Sequence, residues 1–74
     1  MNGTMLIERQ NLQKIIKEVR MQLGLSQEEL AHALGVSFAS INRWENGKAS
    51  PSKLARAQFD MFCRKMKTQG KLKT

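Results

Sequence analysis

Apolar residues recur at helical spacing along most of the chain and divide it into four segments. The first stripe, within residues 10–23, consists of Leu12, Ile15, Ile16, Val19 and Leu23. The helix that carries it starts at the Asn11 cap or earlier, near Thr4 or Ile7. Two shorter segments, residues 27–34 and 38–45, carry only a few inward positions each. The fourth, residues 51–66, spaces its apolar positions by four, three and four, at Ala55, Phe59, Phe62 and Met66. No alternating pattern predicts a strand, so the sequence predicts an all-α fold of four helices.

Capping signals mark the ends of these segments. Ser26 and Glu29 have the spacing of a capping box at the start of the second helix. Ser37 is the predicted cap of the third helix, and Ser50 with Pro51 predicts the start of the fourth. The predicted helix stops are Gly24, Gly35 and the pair Asn46 and Gly47.

Length and charge narrow the class of protein. The 74 residues suffice for one domain, which we divide into an N-terminal extension (1–9), a helical domain (10–67) and a basic flexible tail (68–74). A net charge of +7 favours a polyanionic partner. The tail is either an arm that contacts a nucleic-acid backbone or a solubilising segment. Short apolar runs and the lack of a signal-peptide pattern favour a cytoplasmic location without membrane contact.

Catalytic and metal-binding chemistry find little support. Cys63 and His32 are each the only residue of their type, which excludes an internal disulfide and provides too few ligands for a zinc site. Cys63 is expected at the core boundary and His32 in solvent. No phosphate-cradling glycine loop or Ser/His/Asp arrangement occurs. We therefore expect no enzyme activity, no cofactor and no metal.

The second and third helices carry the functional signal, because only Gly35 and Val36 separate the second helix from the Ser37 cap. Two short helices joined by a tight turn in a basic chain favour a helix-turn-helix, whose second helix enters the major groove of DNA. On a helical wheel Ile41 marks the inner side of the third helix, with Trp44 about 60° and Glu45 about 40° away. We expect Trp44 to pack in or beside the core rather than to stack on bases.

Ala39 and Arg43 lie nearly opposite Ile41, and Ser40 and Asn42 lie on the flanks of the third helix. Arg43 can pair with guanine or bind phosphate, and Ala39 can touch a thymine methyl group or merely permit close packing. Asn42 can pair with adenine or reach the DNA backbone.

Several motifs in order resemble the phage repressor and Cro type of helix-turn-helix domain: "R…LGLSQEELA" from Arg20, "LGVS" from Leu34, "I..WENGK" from Ile41, and "PS" at Pro51. The resemblance spans about residues 12–62 and implies a lambda repressor-like bundle that binds double-stranded DNA. It also implies a DNA-contacting set, in which Gln27 anchors to phosphate: Gln27, Ser37, Phe38, Ala39, Arg43, Asn46, Gly47, Lys48 and Lys53. The wheel positions add Ser40 and Asn42 to these candidates.

The family pattern also implies an ion pair, and the chain departs from the pattern at one position. The resemblance implies that Arg20 pairs with Glu45 as a structural ion pair, which resolves the cost of a carboxylate on the inner side of a helix. Phe38 replaces the polar residue common at its position. Inward packing is the slightly favoured interpretation for Phe38, and contact with a thymine methyl group is the alternative.

The expected function is sequence-specific binding of double-stranded DNA by a small bacterial or phage transcriptional regulator located at the nucleoid. The alternatives are an antitoxin, a targeting module of a DNA-processing system, or a protein-interaction adaptor on the same scaffold. Dimerisation is left open by the sequence, and Leu54 and Met61 of the fourth helix form the candidate surface of a homodimer. The other interpretation of that surface is packing against Met5, Leu6 and Ile7.

Overall fold

The computed structural model describes residues 2–73, with side chains from residue 12 onward. Over this range the chain forms four helices joined by short loops: α1 (Asn2–Gln22), α2 (Gln27–Leu34), α3 (Phe38–Glu45) and α4 (Lys53–Thr68). No strand occurs between residues 2 and 73, and the predicted all-α fold of four helices is confirmed.

Side-chain caps begin the two short helices where the sequence predicts. Ser26 Oγ accepts a 3.0 Å hydrogen bond from the Glu29 N–H, and the Glu29 carboxylate accepts one of 2.8 Å from the Ser26 N–H. Ser37 Oγ accepts from the Ser40 N–H at 3.1 Å. Because each cap satisfies donors that a helix start leaves free, α2 and α3 begin at defined residues.

All four helices end in the same hydrogen-bonding pattern around a glycine. In each case the glycine N–H donates to the carbonyl three residues back, and the following N–H donates to the carbonyl five residues back. This is the Schellman arrangement, which requires a left-handed backbone. The glycines have φ of 67°, 72°, 72° and 75°, at Gly24, Gly35, Gly47 and Gly70.

The outer two helices depart from their predicted starts. Helix α1 begins at Asn2, before residue 10 and closest to the alternative start near Thr4, since no proline or glycine interrupts the chain from Thr4 to Leu23. Helix α4 begins two residues after the predicted Pro51. Ser52, not Ser50, is the cap, and its Oγ accepts from the Ala55 N–H at 3.2 Å. Two serines flank one proline, and the side chain that reaches a helical N–H decides between them.

The core is built from one face of every helix. Ile16 of α1, Leu30 of α2 and Ile41 of α3 are fully inaccessible, and Phe59 contributes the large buried side chain of α4. Trp44 is also buried, as predicted. Helix α3 packs against α1 and α2, and α2 packs against α4.

The C-terminal segment is not the flexible tail that the sequence suggests. After α4 the chain turns back at Gly70, where the Lys71 N–H donates to the Met66 carbonyl at 2.9 Å. Leu72 then enters the core with only 4% of its surface exposed. A single leucine in a lysine-rich run is enough to anchor the segment, because the turn directs it toward α1 and α4.

The single histidine and the single cysteine lie where the sequence predicts them. His32 is exposed, and Cys63 is half-buried at the core boundary. No helix within the described range is both long and apolar enough to cross a bilayer. The suggested packing of Met5, Leu6 and Ile7 lies outside the described side chains.

Candidate nucleic-acid interface

Helix α3 is fixed to α2 by the three-residue turn between them. The Val36 N–H donates to the Ala31 carbonyl at 3.0 Å, and the Val36 side chain packs against the core. The hydroxyls of Ser37 and Ser40 lie 2.9 Å apart and share a hydrogen bond. The first turn of α3 is therefore held at a set angle to α2.

An ion pair fastens the inner side of α3 to α1. Arg20 Nε lies 2.6 Å from Glu45 Oε2, and Arg20 Nη2 donates to Glu45 Oε1 at 2.9 Å. The third guanidinium nitrogen, Nη1, donates to the Leu25 carbonyl at 3.0 Å. Two-point pairing of this kind fixes both distance and orientation. The structure thus brings together the two residues that the family resemblance pairs.

The charges in this cluster set the protonation of Glu45. Burial alone raises the pKa of a carboxyl group. Hydrogen bonds from Arg20 and Gln27, with the charges of Arg20 and Lys17, outweigh burial and hold the pKa of Glu45 below its ordinary value. The hydrogen bond to Glu45 likewise raises the pKa of Arg20 despite desolvation. Both partners are therefore charged at neutral pH.

A row of carboxamides extends from this ion pair along α3. Gln27 Nε2 donates to Glu45 Oε1 at 3.1 Å, and Asn42 Nδ2 donates to Gln27 Oε1 at 3.1 Å. Asn46 Nδ2 in turn donates to Asn42 Oδ1 at 3.1 Å. Gln27 and Asn42, which the sequence predicts as DNA contacts, are half-buried and bonded to each other. We call the side chains of Gln27, Asn42 and Asn46 the amide row.

Gln13 is a positioning residue that the sequence interpretation missed. Its Nε2 donates to the main-chain carbonyl of Glu45 at 2.9 Å, and its Oε1 lies 2.8 Å from where a Cβ on Gly47 would stand. The signal was available: Gln13 lies seven residues before Arg20, which places both on the same face of α1.

The outer side of α3 is open to solvent. Ala39 and Arg43 are exposed, as their wheel positions predict, and Ser40 is half-buried. Phe38 is 50% exposed, so the favoured expectation that it packs inward is wrong. The reason is its place at the first helical residue: helical side chains tilt toward the N-terminus, and here that direction leads past the helix end.

The loop after α3 presents side chains rather than backbone donors. The N–H groups of Asn46, Gly47 and Lys48 donate to the carbonyls of Asn42, Trp44 and Arg43 at 3.0, 3.2 and 2.9 Å. Those N–H groups are therefore occupied, and Gly47 offers no side chain. Lys48 and Lys53 are exposed and available to an anion.

Other chemistry is sparse in the part of the chain that the structure describes. It contains no group of histidine, cysteine and acidic side chains arranged to hold a metal ion. Burial, followed by the nearby Asp60 charge, raises the pKa of the Cys63 thiol, so this thiol is protonated at neutral pH. A groove between α1 and α4 is lined by Cys63 and includes no residue of α2 or α3.

Comparison with known families agrees with this geometry. A family model described as helix-turn-helix matches residues 16–54, which is more than half of the chain. The chain belongs to the Cro and repressor type of helix-turn-helix family. The matched region contains α2, α3 and the Arg20–Glu45 ion pair, and this family is a class of DNA-binding domain.

Two curated proteins are similar to about half of this chain. The chain is 49% identical over 43 residues to the type II methyltransferase M1.ScrFI of Lactococcus lactis subsp. cremoris, covering 54% of this chain and 11% of the methyltransferase. It is 46% identical over 41 residues to an uncharacterised helix-turn-helix-type transcriptional regulator of Methanothermobacter thermautotrophicus, covering 55% of this chain and 59% of that protein. The similarity thus spans less than two thirds of either relative. No solved structure matches the chain.

Proposed function

We propose that this chain binds double-stranded DNA in a sequence-specific manner, with α3 in the major groove, and acts as a small transcriptional regulator. The observation that carries the proposal is the division of α3 into two sides. Ile41, Trp44 and Glu45 are buried and fasten the helix, while Ala39 and Arg43 on the other side are exposed. A helix fixed in this way can enter a groove without losing its angle to the domain.

The contacts divide into those that read bases and those that position the domain. Arg43 suits a two-point contact with guanine, and the exposed apolar surfaces of Phe38 and Ala39 suit thymine methyl groups. Ser37 and Ser40 border this surface. Positioning contacts to phosphate fall to the remaining polar residues, which are Gln27, Asn46, Lys48 and Lys53. Gly47 serves by letting the backbone turn close to the DNA.

Charge supports this assignment. The net charge of +7 attracts a polyanion at long range. Phosphate contacts by lysine and arginine release counterions, so affinity should fall steeply as salt rises.

We further propose that two copies of the chain bind together on DNA. Proteins with this motif bind half-sites about one helical turn apart. Leu54 and Met61 of α4 are 72% and 65% exposed and form the proposed contact surface. Sedimentation at micromolar concentration, with and without DNA, tests the proposal, and a strict monomer under both conditions contradicts it.

A second candidate function is that of a DNA-targeting module. The methyltransferase relative supports it, because a segment similar to this chain makes up 11% of that longer protein. In this alternative the contact with DNA is the same and only the attached activity differs.

Selection of bound sites from a random duplex library, followed by a salt titration, tests the proposed function. We expect one preferred sequence and an affinity that falls steeply with salt. Binding without sequence preference contradicts sequence-specific recognition. Salt-insensitive binding to a protein, with no duplex selected, would instead identify an adaptor.

A further inference from the structure

The amide row has a direction that Glu45 imposes. A carboxamide presents an oxygen and a nitrogen of similar shape, so its orientation is set by its partners. An ionised carboxylate only accepts hydrogen bonds, and Gln27 must therefore turn Nε2 toward Glu45. Gln27 Oε1 then faces Asn42 and accepts a hydrogen bond from Asn42 Nδ2. Asn42 Oδ1 in turn accepts a hydrogen bond from Asn46 Nδ2. One charge thus orients three carboxamides on α2, α3 and the residue that follows α3.

This orientation decides what Gln27 can offer to DNA. One N–H of Gln27 Nε2 is used by Glu45, and the other has no acceptor within residues 12–73. Gln27 is the first residue of α2, where free backbone N–H groups and the helix dipole favour an anion. A side-chain N–H held at that end adds a donor to the same phosphate position.

We propose that Asn42 is a positioning residue, which holds the Gln27 carboxamide so that its remaining N–H meets a DNA phosphate. Asn42 then acts through Gln27 and does not read a base. The bond between them joins the phosphate-contacting end of α2 to the groove-reading helix α3. This inference rests on the proposed function, because it assigns Gln27 to a phosphate.

The first arm of the test needs no DNA. Side-chain NMR of the free protein should show the two Gln27 Nε2 protons as separate, slowly exchanging signals. In Asn42→Ala the carboxamide loses the donor that fixes Oε1, and these signals should broaden or exchange faster. Unchanged Gln27 signals in that variant would overturn the positioning role.

The second arm uses the duplex selected for the wild-type chain, with each phosphate replaced in turn by a neutral methylphosphonate. One replacement should weaken wild-type binding about tenfold, the effect of losing a hydrogen bond to a charged group. Replacing that phosphate should not change the affinity of Gln27→Ala. It should not change the affinity of Asn42→Ala either. The double variant should bind within about twofold of Gln27→Ala, since both changes remove one interaction.

The control is Gln22→Ala, which removes an exposed carboxamide whose hydrogen bond among the described side chains goes to Glu18 on its own helix. This variant should leave the phosphate pattern unchanged. Two results overturn the inference while the proposed function stands. One is that Asn42→Ala loses preference at a single base pair and keeps the phosphate effect. The other is that it lowers only the unfolding midpoint. If the wild-type chain selects no duplex, the proposed function fails and the inference fails with it.

Discussion

Arg20 on α1 and Glu45 on α3 form a two-point ion pair in which 16% of the arginine side chain and 4% of the glutamate side chain is exposed. Because the carboxylate is almost fully buried, it depends on its partners for stabilisation. The same carboxylate orients the amide row and lies beside the carbonyl that Gln13 binds. One acidic residue therefore joins α3 to α1 and α2.

Replacing Arg20 should show how far the stability of the fold depends on this ion pair. Arg20→Met leaves a buried charge with Gln27 as its main remaining donor, and we expect a loss of about 3 kcal/mol in unfolding free energy. Urea unfolding measures the change. Arg56→Met, at an exposed arginine of α4, is the matched control and should change stability by less than about 0.5 kcal/mol. Similar urea midpoints for Arg20→Met and Arg56→Met would contradict a structural role for the Arg20–Glu45 pair.

Lowering the pH should remove the stabilisation by the Arg20–Glu45 pair in the wild-type chain, because it protonates Glu45. The pKa of Glu45 is lower in the folded state than its ordinary value of 4.5. The unfolded chain therefore binds a proton first as pH falls, so the stabilisation is complete above the ordinary pKa. It is lost as pH falls through the folded-state pKa.

Urea midpoints measured from about pH 6 to pH 2 should show this loss. Glu45→Gln removes the titrating group and should flatten that part of the profile, even though it is less stable at neutral pH. Equal acid sensitivity in the two proteins would contradict the assignment.

Gly47 should tolerate alanine less well than Gly35 does. Both have φ of 72°, so alanine at either position adopts a left-handed backbone at a cost of about 1–2 kcal/mol. At Gly35 the added Cβ meets nothing within 4 Å, whereas at Gly47 it would lie 2.8 Å from Gln13 Oε1. Gly47→Ala should therefore cost about 1 kcal/mol more, because Gln13 must release the Glu45 carbonyl.

The Gln13→Ala background isolates this contact. In that background the cost of Gly47→Ala should fall to the cost of Gly35→Ala, as measured by thermal or urea unfolding. An excess cost that persists without the Gln13 side chain would show that strain at Gly47 has another source.

The C-terminal segment should contribute to stability through Leu72. Leu72→Ala should lower the unfolding free energy by about 2–3 kcal/mol, since the side chain is buried. Met21→Ala, at a residue that is 61% exposed, is the control and should have little effect. If the two variants were equally mild, the segment would not be anchored in solution.

The features of the fold that the sequence predicts correctly depend on residues close together in the chain. The bounds of α2 and α3 follow from Ser26, Ser37 and Gly35, because capping involves residues only three or four positions apart. The inner side of α3 is equally readable, since a single helix has a fixed period.

The features that the sequence does not predict depend on contacts between segments that are distant in the chain. Phe38 lies on the inner side of the wheel, yet no neighbouring element covers it at the end of the helix. Leu72 reads as part of a charged tail until the turn at Gly70 returns it to the core. The bond between Gln27 and Asn42 joins residues 15 positions apart, and no local rule places them in contact.

The most direct test of the account compares Arg43→Ala with Lys48→Ala on the duplex selected for the wild-type chain and on single-base variants of it. Arg43→Ala should relax preference at one base pair by about 1–3 kcal/mol, because it removes a contact to a base edge. Lys48→Ala should weaken binding to all the duplexes alike and reduce the salt dependence by about one contact. If neither variant alters DNA binding, α3 does not enter the major groove as proposed.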